Sequence, residues 1–174
     1  QMISNQRKRR VEISKEAGSP PVNALCVVDV SGSMFSNGSG SIRSIQVSIA
    51  LGLTIALLND ETSPFFRKWI TFSSSPKMET LRGKGLHEMI NNMDTKHWDM
   101  STNFESTFDL ILETASAFSV PQCNMPEMLI VISDMQFDSV GSKQTNWESI
   151  ELKYTKKGYT RPTLVFWDAR GNTM

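Results

Sequence analysis

Ala24-Leu25-Cys26-Val27-Val28-Asp29-Val30 decides the architecture of this chain. A near-continuous apolar run of this length has the pattern of a strand buried on both faces of a sheet, and here it leads into a carboxylate and polar chain. Met128-Leu129-Ile130-Val131-Ile132-Ser133-Asp134 repeats the design, again closing on an aspartate. Residues 68–73 (Lys-Trp-Ile-Thr-Phe-Ser) and 162–167 (Pro-Thr-Leu-Val-Phe-Trp) read as two further strands, the latter followed by Asp168. Between them lie segments of helical period. Residues 42–58 carry Ile42, Ile45, Ile49, Leu53, Ala56 and Leu57 at helical spacing, with mostly apolar or small residues elsewhere, so this helix is expected to be largely enclosed. Residues 103–118 place Phe104, Phe108, Ile111, Leu112, Ala115 and Phe118 on one face. Strands alternating with helices, and apolar throughout, imply an α/β fold with a parallel sheet covered on both faces. Ligands of such sheets bind outside the carboxyl ends of the strands, where Asp29, Asp134 and Asp168 all fall.

Weaker signals complete the outline. Ser74-Ser75-Pro76 makes a turn from which residues 77–81 pair back as a short hairpin strand. Residues 86–93 read as a short helix, and residues 147–157 as another, ended by Gly158. A polar Ser- and Gly-rich loop is expected over residues 31–41. Residues 1–21 form a basic and polar arm containing Arg7-Lys8-Arg9-Arg10, a run that serves as a nuclear address, a phosphate contact or simply a solvated face. Residues 22–174 are then one domain. The chain starts on Gln and stops soon after an apolar strand, which reads as a fragment of a longer protein.

Composition narrows the function by exclusion. Hydrophobic residues at 39% and charged ones at 21% are globular values for 174 residues. Lys+Arg and Asp+Glu number 18 each, so no global charge points to nucleic acid, membrane or acidic substrate. Cys26 and Cys123 are too few for a disulfide framework or a four-thiolate zinc site, and read as free thiols of a reducing compartment. With no membrane-length apolar run and no signal-peptide core, the expected location is intracellular and cytoplasmic, or nuclear through residues 7–10.

Local chemistry concentrates just past the first strand. In extended chain, alternate side chains point the same way, so Asp29, Ser31 and Ser33 converge as one carboxylate and two hydroxyls. An all-oxygen set suits a hard cation such as Mg²⁺, with Mn²⁺ or Ca²⁺ as substitutes. Gly32 is expected to let the backbone turn closely beneath the site. A neighbouring parallel strand brings in Asp134, and the loop before the 103–118 helix offers Thr102. Thr102 also opens a capping box, Thr102-x-x-Glu105, and Ser101 or Asn103 can take either role.

Asp29-Val30-Ser31-Gly32-Ser33, then Thr102, then Asp134 resembles the metal-ion-dependent adhesion site of von Willebrand factor A domains, whose pattern is Asp-x-Ser-x-Ser with a distant Thr and a distant Asp. The resemblance covers roughly residues 22–170. It implies a doubly wound, mostly parallel, Rossmann-like sheet flanked by helices, with one short antiparallel edge strand. It also implies Asp29, Ser31, Ser33 and Thr102 as metal ligands, and Asp134 as a ligand directly or through water. Ser48-Ile49-Ala50-Leu51-Gly52-Leu53, Met100-Ser101-Thr102-Asn103-Phe104 and Ser133-Asp134-Met135-Gln136-Phe137-Asp138 are more similar to intracellular A domains, those of the Ro ribonucleoprotein autoantigen and a related family. In those proteins a helical region precedes the A domain. The chain departs from them in a longer loop over residues 35–41, and it ends before the fold's final helix and strand.

The implied role is a non-catalytic interaction module in which a partner's Glu or Asp completes the coordination of Mg²⁺. Two alternatives stand beside it. A Ro-like ribonucleoprotein component is suggested by that similarity and the basic arm. A metal-dependent phosphohydrolase would need a second carboxylate where Ser31 stands, and a serine hydrolase would need a Gly-x-Ser-x-Gly elbow with a placed His. His87 and His97 fall at no strand end, and Ser36-Asn37-Gly38-Ser39-Gly40-Ser41 lacks the Gly-Lys-Ser/Thr ending of a phosphate loop. Asp138 and Asp168 read as loop and turn residues, and Trp98 as a packing or rim residue.

Overall fold

The apolar runs become the strands of a single sheet. In the computed structural model, which describes residues 23–36, 43–59, 61, 63–94, 103–134 and 146–170, these are β1 (Ala24–Val28), β2 (Lys68–Thr71), β3 (Met78–Thr80), β4 (Met128–Ser133) and β5 (Thr163–Asp168). The order across the sheet is β3-β2-β1-β4-β5. All pairings are parallel except that of the short edge strand β3 with β2. The chain moves from β1 to β2 on one side and places β4 on the other, so the topological switch point lies between β1 and β4.

Among the described residues five α-helices intervene: α1 (Ser33–Ser36), α2 (Ser44–Leu58), α3 (Leu86–Asp94), α4 (Phe104–Ala117) and α5 (Trp147–Lys156). Period-two alternation along β1 splits the core into two layers. Leu25 and Val27 pack with Leu129 and Val131 under Phe108, Ile111 and Leu112 of α4 and Ile150 and Tyr154 of α5. Cys26 and Val28 pack with Ile132 under Ile45, Ile49, Leu53 and Ala56 of α2 and Met89 and Met93 of α3. The domain is thus a mostly parallel α/β sheet with helices on both faces.

Several details depart from the expected outline. The 31–41 loop begins with the single turn α1, and residues 37–42 lie outside the described region. Phe118 is 69% exposed, because the helical face ends at Ala115 and Phe118 is the C-cap of α4. Coverage of both faces holds for β1 but not for β5, where Phe166 and Trp167 are 44% and 50% exposed. The expected ending at Gly158 stands: its φ of +75° is left-handed, a conformation that costs glycine little, and it follows the last turn of α5.

Helix α2 lies close on β1, and Gly52 makes this possible. A Cβ there would come within 2.5 Å of Val28 Cγ2 and 3.1 Å of the Met93 methyl. Val28 is stiff and fully enclosed, so the helix must shift. Gly52→Ala is therefore expected to destabilise by about 1–2 kcal/mol in urea unfolding, although alanine alone favours a helix by about 1 kcal/mol over glycine.

The same contact shapes Cys26, whose Sγ donates to Gly52 O at 3.4 Å. Burial pushes its thiol up to about 12, whereas Cys123 is exposed on the 3₁₀ turn Gln122–Asn124. In a thiol assay on the native chain, Cys123 is expected to react promptly and Cys26 only on unfolding. The raised value also gives a pH dependence. The stability due to the protonated Cys26 thiol is complete below the ordinary thiol range near pH ~8.5, and is lost as pH rises towards 12.

Candidate metal centre at the switch point

The site begins where β1 loses its partners. Asp29 is the first residue past the strand, and its amide still bonds to Ile132 O at 3.1 Å, which holds it beside the end of β4. Its carboxylate turns back on its own loop: Oδ1 accepts the Ser31 amide at 2.8 Å, an Asx turn. Oδ2 accepts the hydroxyl of Ser133 at 2.6 Å. Ser31 Oγ and Ser33 Oγ stand 3.1 Å apart. Met34 N and Phe35 N then bond to Ser31 O and Gly32 O, which starts α1 and swings Met34 inward. Met34 is fully buried, and its sulfur accepts the Asp134 amide at 3.2 Å.

Two carboxylates are thereby enclosed at adjacent strand ends, Asp29 at 2% exposure and Asp134 at 1%. Enclosing anions away from water costs several kcal/mol each unless positive charge or donors compensate. Among the described residues no cationic side chain is paired with Asp29. Arg170, just past β5, lies within electrostatic reach of Asp134, but its guanidinium forks onto Asp168 at 3.1 and 3.2 Å. That fork holds the Asp168 carboxyl below its usual range, and the Arg170 amide bonds to Asp168 Oδ1 at 2.9 Å. Asp168 is thus the acceptor of a turn.

The donor chemistry fits a small hard cation. Neighbouring ligands around Mg²⁺ at about 2.0–2.1 Å stand about 2.9 Å from each other, close to the 3.1 Å between the two serine oxygens. No group of three or more His, Cys, Asp or Glu side chains gathers among the described residues. A metal here would depend on two carboxylates supplemented by neutral oxygens.

Of the five expected ligands, Asp29, Ser31 and Ser33 come together, and Asp134 lies at the adjoining strand end. Thr102 lies outside the described residues, as do His97, Trp98, Asp138 and Arg7-Lys8-Arg9-Arg10. Its neighbour Asn103 is informative. The Asn103 amide bonds to Ser73 O beyond β2 at 3.2 Å, and its side chain caps α4 by accepting Ser106 N at 3.0 Å. The cap is Asn103, so helix α4 does not require the Thr102 hydroxyl. The expected role of Gly32 is corrected: it is exposed, has no left-handed φ, and a Cβ there would meet open space. His87 is exposed on α3 and bonded to Asn91. Ser133 and Met34 were not foreseen. Their partners, Asp29 and Asp134, are 104 and 100 residues away, and only the neighbouring Asp134 hinted at Ser133.

Fold and site together define a class, a mostly parallel α/β domain with two carboxylates buried at its switch point. The chain belongs to the family described as Domain of unknown function (DUF7788), which it matches over residues 23–174. It is similar to "Uncharacterized protein L728" of Acanthamoeba polyphaga mimivirus, with 35% identity over 150 residues, 85% of this chain and 25% of that protein. The chain thus spans about a quarter of the length of this curated relative. No solved structure matches it. Among the described residues, no helix is long and apolar enough to cross a membrane.

Proposed function

We propose that the chain is a metal-dependent protein-interaction module of the von Willebrand factor A type. Asp29, Ser31 and Ser33 would hold Mg²⁺, with Asp134 acting directly or through water and Thr102 as a further hydroxyl. The observation that carries this reading is the pair of carboxylates buried at 2% and 1% exposure on either side of the switch point, beside two hydroxyls 3.1 Å apart. Bound there, the cation would supply a Lewis-acidic position for an external carboxylate, so the partner class is a protein offering Glu or Asp.

The residues favour binding over hydrolysis. Ser31 stands where a phosphohydrolase of this layout needs its second carboxylate. The Ser31 and Ser33 hydroxyls stand within hydrogen-bond distance of each other, and the one histidine among the described residues, His87, is bonded to Asn91 on α3. Asp29 is engaged as an acceptor through both oxygens. Its role is to hold charge in place.

The test is a thermal melt of the chain in excess MgCl₂ against EDTA. A ligand at about 100 times its dissociation constant stabilises by about 2.7 kcal/mol. For a domain of this size that is a rise in Tm of about 5–10 °C. An unchanged melt overturns the reading.

A further inference from the structure

We propose that Ser133 is a positioning residue of this centre, and that its hydroxyl makes the site select Mg²⁺ over Ca²⁺ by locking the Asp29 carboxylate. The inference rests on the metal reading above and adds to it a residue and a selectivity. Ser133 is 1% exposed and donates to Asp29 Oδ2 at 2.6 Å, the shorter of the two hydrogen bonds to this carboxylate. With the Ser31 amide on Oδ1, each oxygen of Asp29 has one fixed donor. One acceptor direction per oxygen is left, and rotation of the carboxylate breaks at least one of the two bonds.

The donor is itself immobilised. Ser133 ends β4, and its carbonyl accepts Ala169 N at 2.8 Å from the β5 side. On the other side, Ile132 O receives both the Asp29 amide and the Ser48 hydroxyl of helix α2, at 3.1 and 3.2 Å. Ser133 therefore projects from backbone clamped by β1, β5 and α2. A hydroxyl held so firmly sets the orientation of the carboxylate it touches.

The consequence for metal choice follows from coordination chemistry. Mg²⁺ demands near-octahedral oxygen at about 2.0–2.1 Å, whereas Ca²⁺ takes six to eight oxygens at about 2.3–2.6 Å and often binds a carboxylate through both. A carboxylate pinned at both oxygens presents one in a set direction and resists swinging into bidentate contact. Removing the Ser133 hydroxyl frees that swing, which penalises the exacting ion and spares the tolerant one.

The experiment titrates wild type, Ser133→Ala and Ser133→Thr with Mg²⁺ and with Ca²⁺, alongside metal-free urea unfolding of each. Ser133→Ala is expected to weaken Mg²⁺ about 10- to 100-fold, as loss of an outer-sphere partner does, and Ca²⁺ by several-fold less. Ser133→Thr keeps the hydroxyl and is expected to restore the wild-type preference. A purely structural serine would shift the urea midpoint and weaken both ions equally, which overturns the proposal. So does a Mg²⁺ affinity in Ser133→Ala within about twofold of wild type. If wild type binds Mg²⁺ and Asp29→Asn does not, the metal reading stands whatever Ser133 does. A wild type without Mg²⁺ response overturns both.

Discussion

Replacing Asp29 by asparagine is expected to abolish the Mg²⁺-dependent rise in Tm while leaving the metal-free melt at or above that of wild type. Asparagine keeps the shape of the side chain. Its carbonyl oxygen still accepts the Ser31 amide held at 2.8 Å. Its NH₂ group falls where Oδ2 met Ser133, and the serine hydroxyl can turn from donor to acceptor. What disappears is one of two enclosed negative charges. Without metal that loss relieves the molecule, because an enclosed carboxylate is costly. With metal it removes half of the charge that neutralises a divalent ion. Thermal melts of both proteins across a MgCl₂ titration check this. An undiminished Mg²⁺ response in Asp29→Asn removes the site from β1 and with it the functional proposal.

Phe108→Ala is expected to produce the largest loss of stability, about 3–5 kcal/mol, the usual cost of truncating an enclosed aromatic. Phe108 is fully buried where α4 and α5 meet the sheet. Its ring lies edge to face with Trp147 at 5.8 Å and Tyr154 at 6.2 Å. The Tyr154 hydroxyl donates to Phe108 O at 2.8 Å, and burial raises the Tyr154 phenol, so this hydroxyl stays protonated and bonded. Lys153 adds an ion pair from α5 to Asp109 at 2.8 Å, but a partly exposed pair of this kind contributes little. The aromatic cluster, with the fully buried Ile150 in the same core layer, joins α5 to α4. Urea unfolding of Phe108→Ala should show a lower midpoint, with the Mg²⁺ response retained if the variant stays folded, since Phe108 lies in the layer opposite Cys26 and Val28.

The two aspartates at strand ends were legible because an unbroken apolar run says both that a strand is enclosed and where it stops. Ser31 and Ser33 were legible from their spacing to Asp29. The helix cap was ambiguous, since Ser101, Thr102 and Asn103 all carry oxygens that can accept an amide. Only the structure assigns the cap to Asn103, whose Oδ1 accepts the Ser106 amide. Gly32 misled because a glycine in a loop does not by itself require a left-handed φ or a close approach, and Gly32 has neither. Phe118 and Trp167 misled because an apolar residue at the right period is buried only if something lies opposite it.

Composition and periodicity by themselves determined that this chain alternates strands and helices, that most of its strands run parallel, and that oxygen-bearing side chains cluster where two strands end. These are properties of contiguous segments, set by which side chains must leave water. The tertiary structure alone decided that Ser133 meets Asp29 and that Met34 meets the Asp134 amide. It also decided that both carboxylates are enclosed, and that Gly52 brings α2 onto β1. Each of these depends on the register between β1 and β4 or on the close approach of α2. Register joins residues about a hundred positions apart, and a one-residue slip of β4 against β1 would turn Ser133 away from Asp29 to the opposite face.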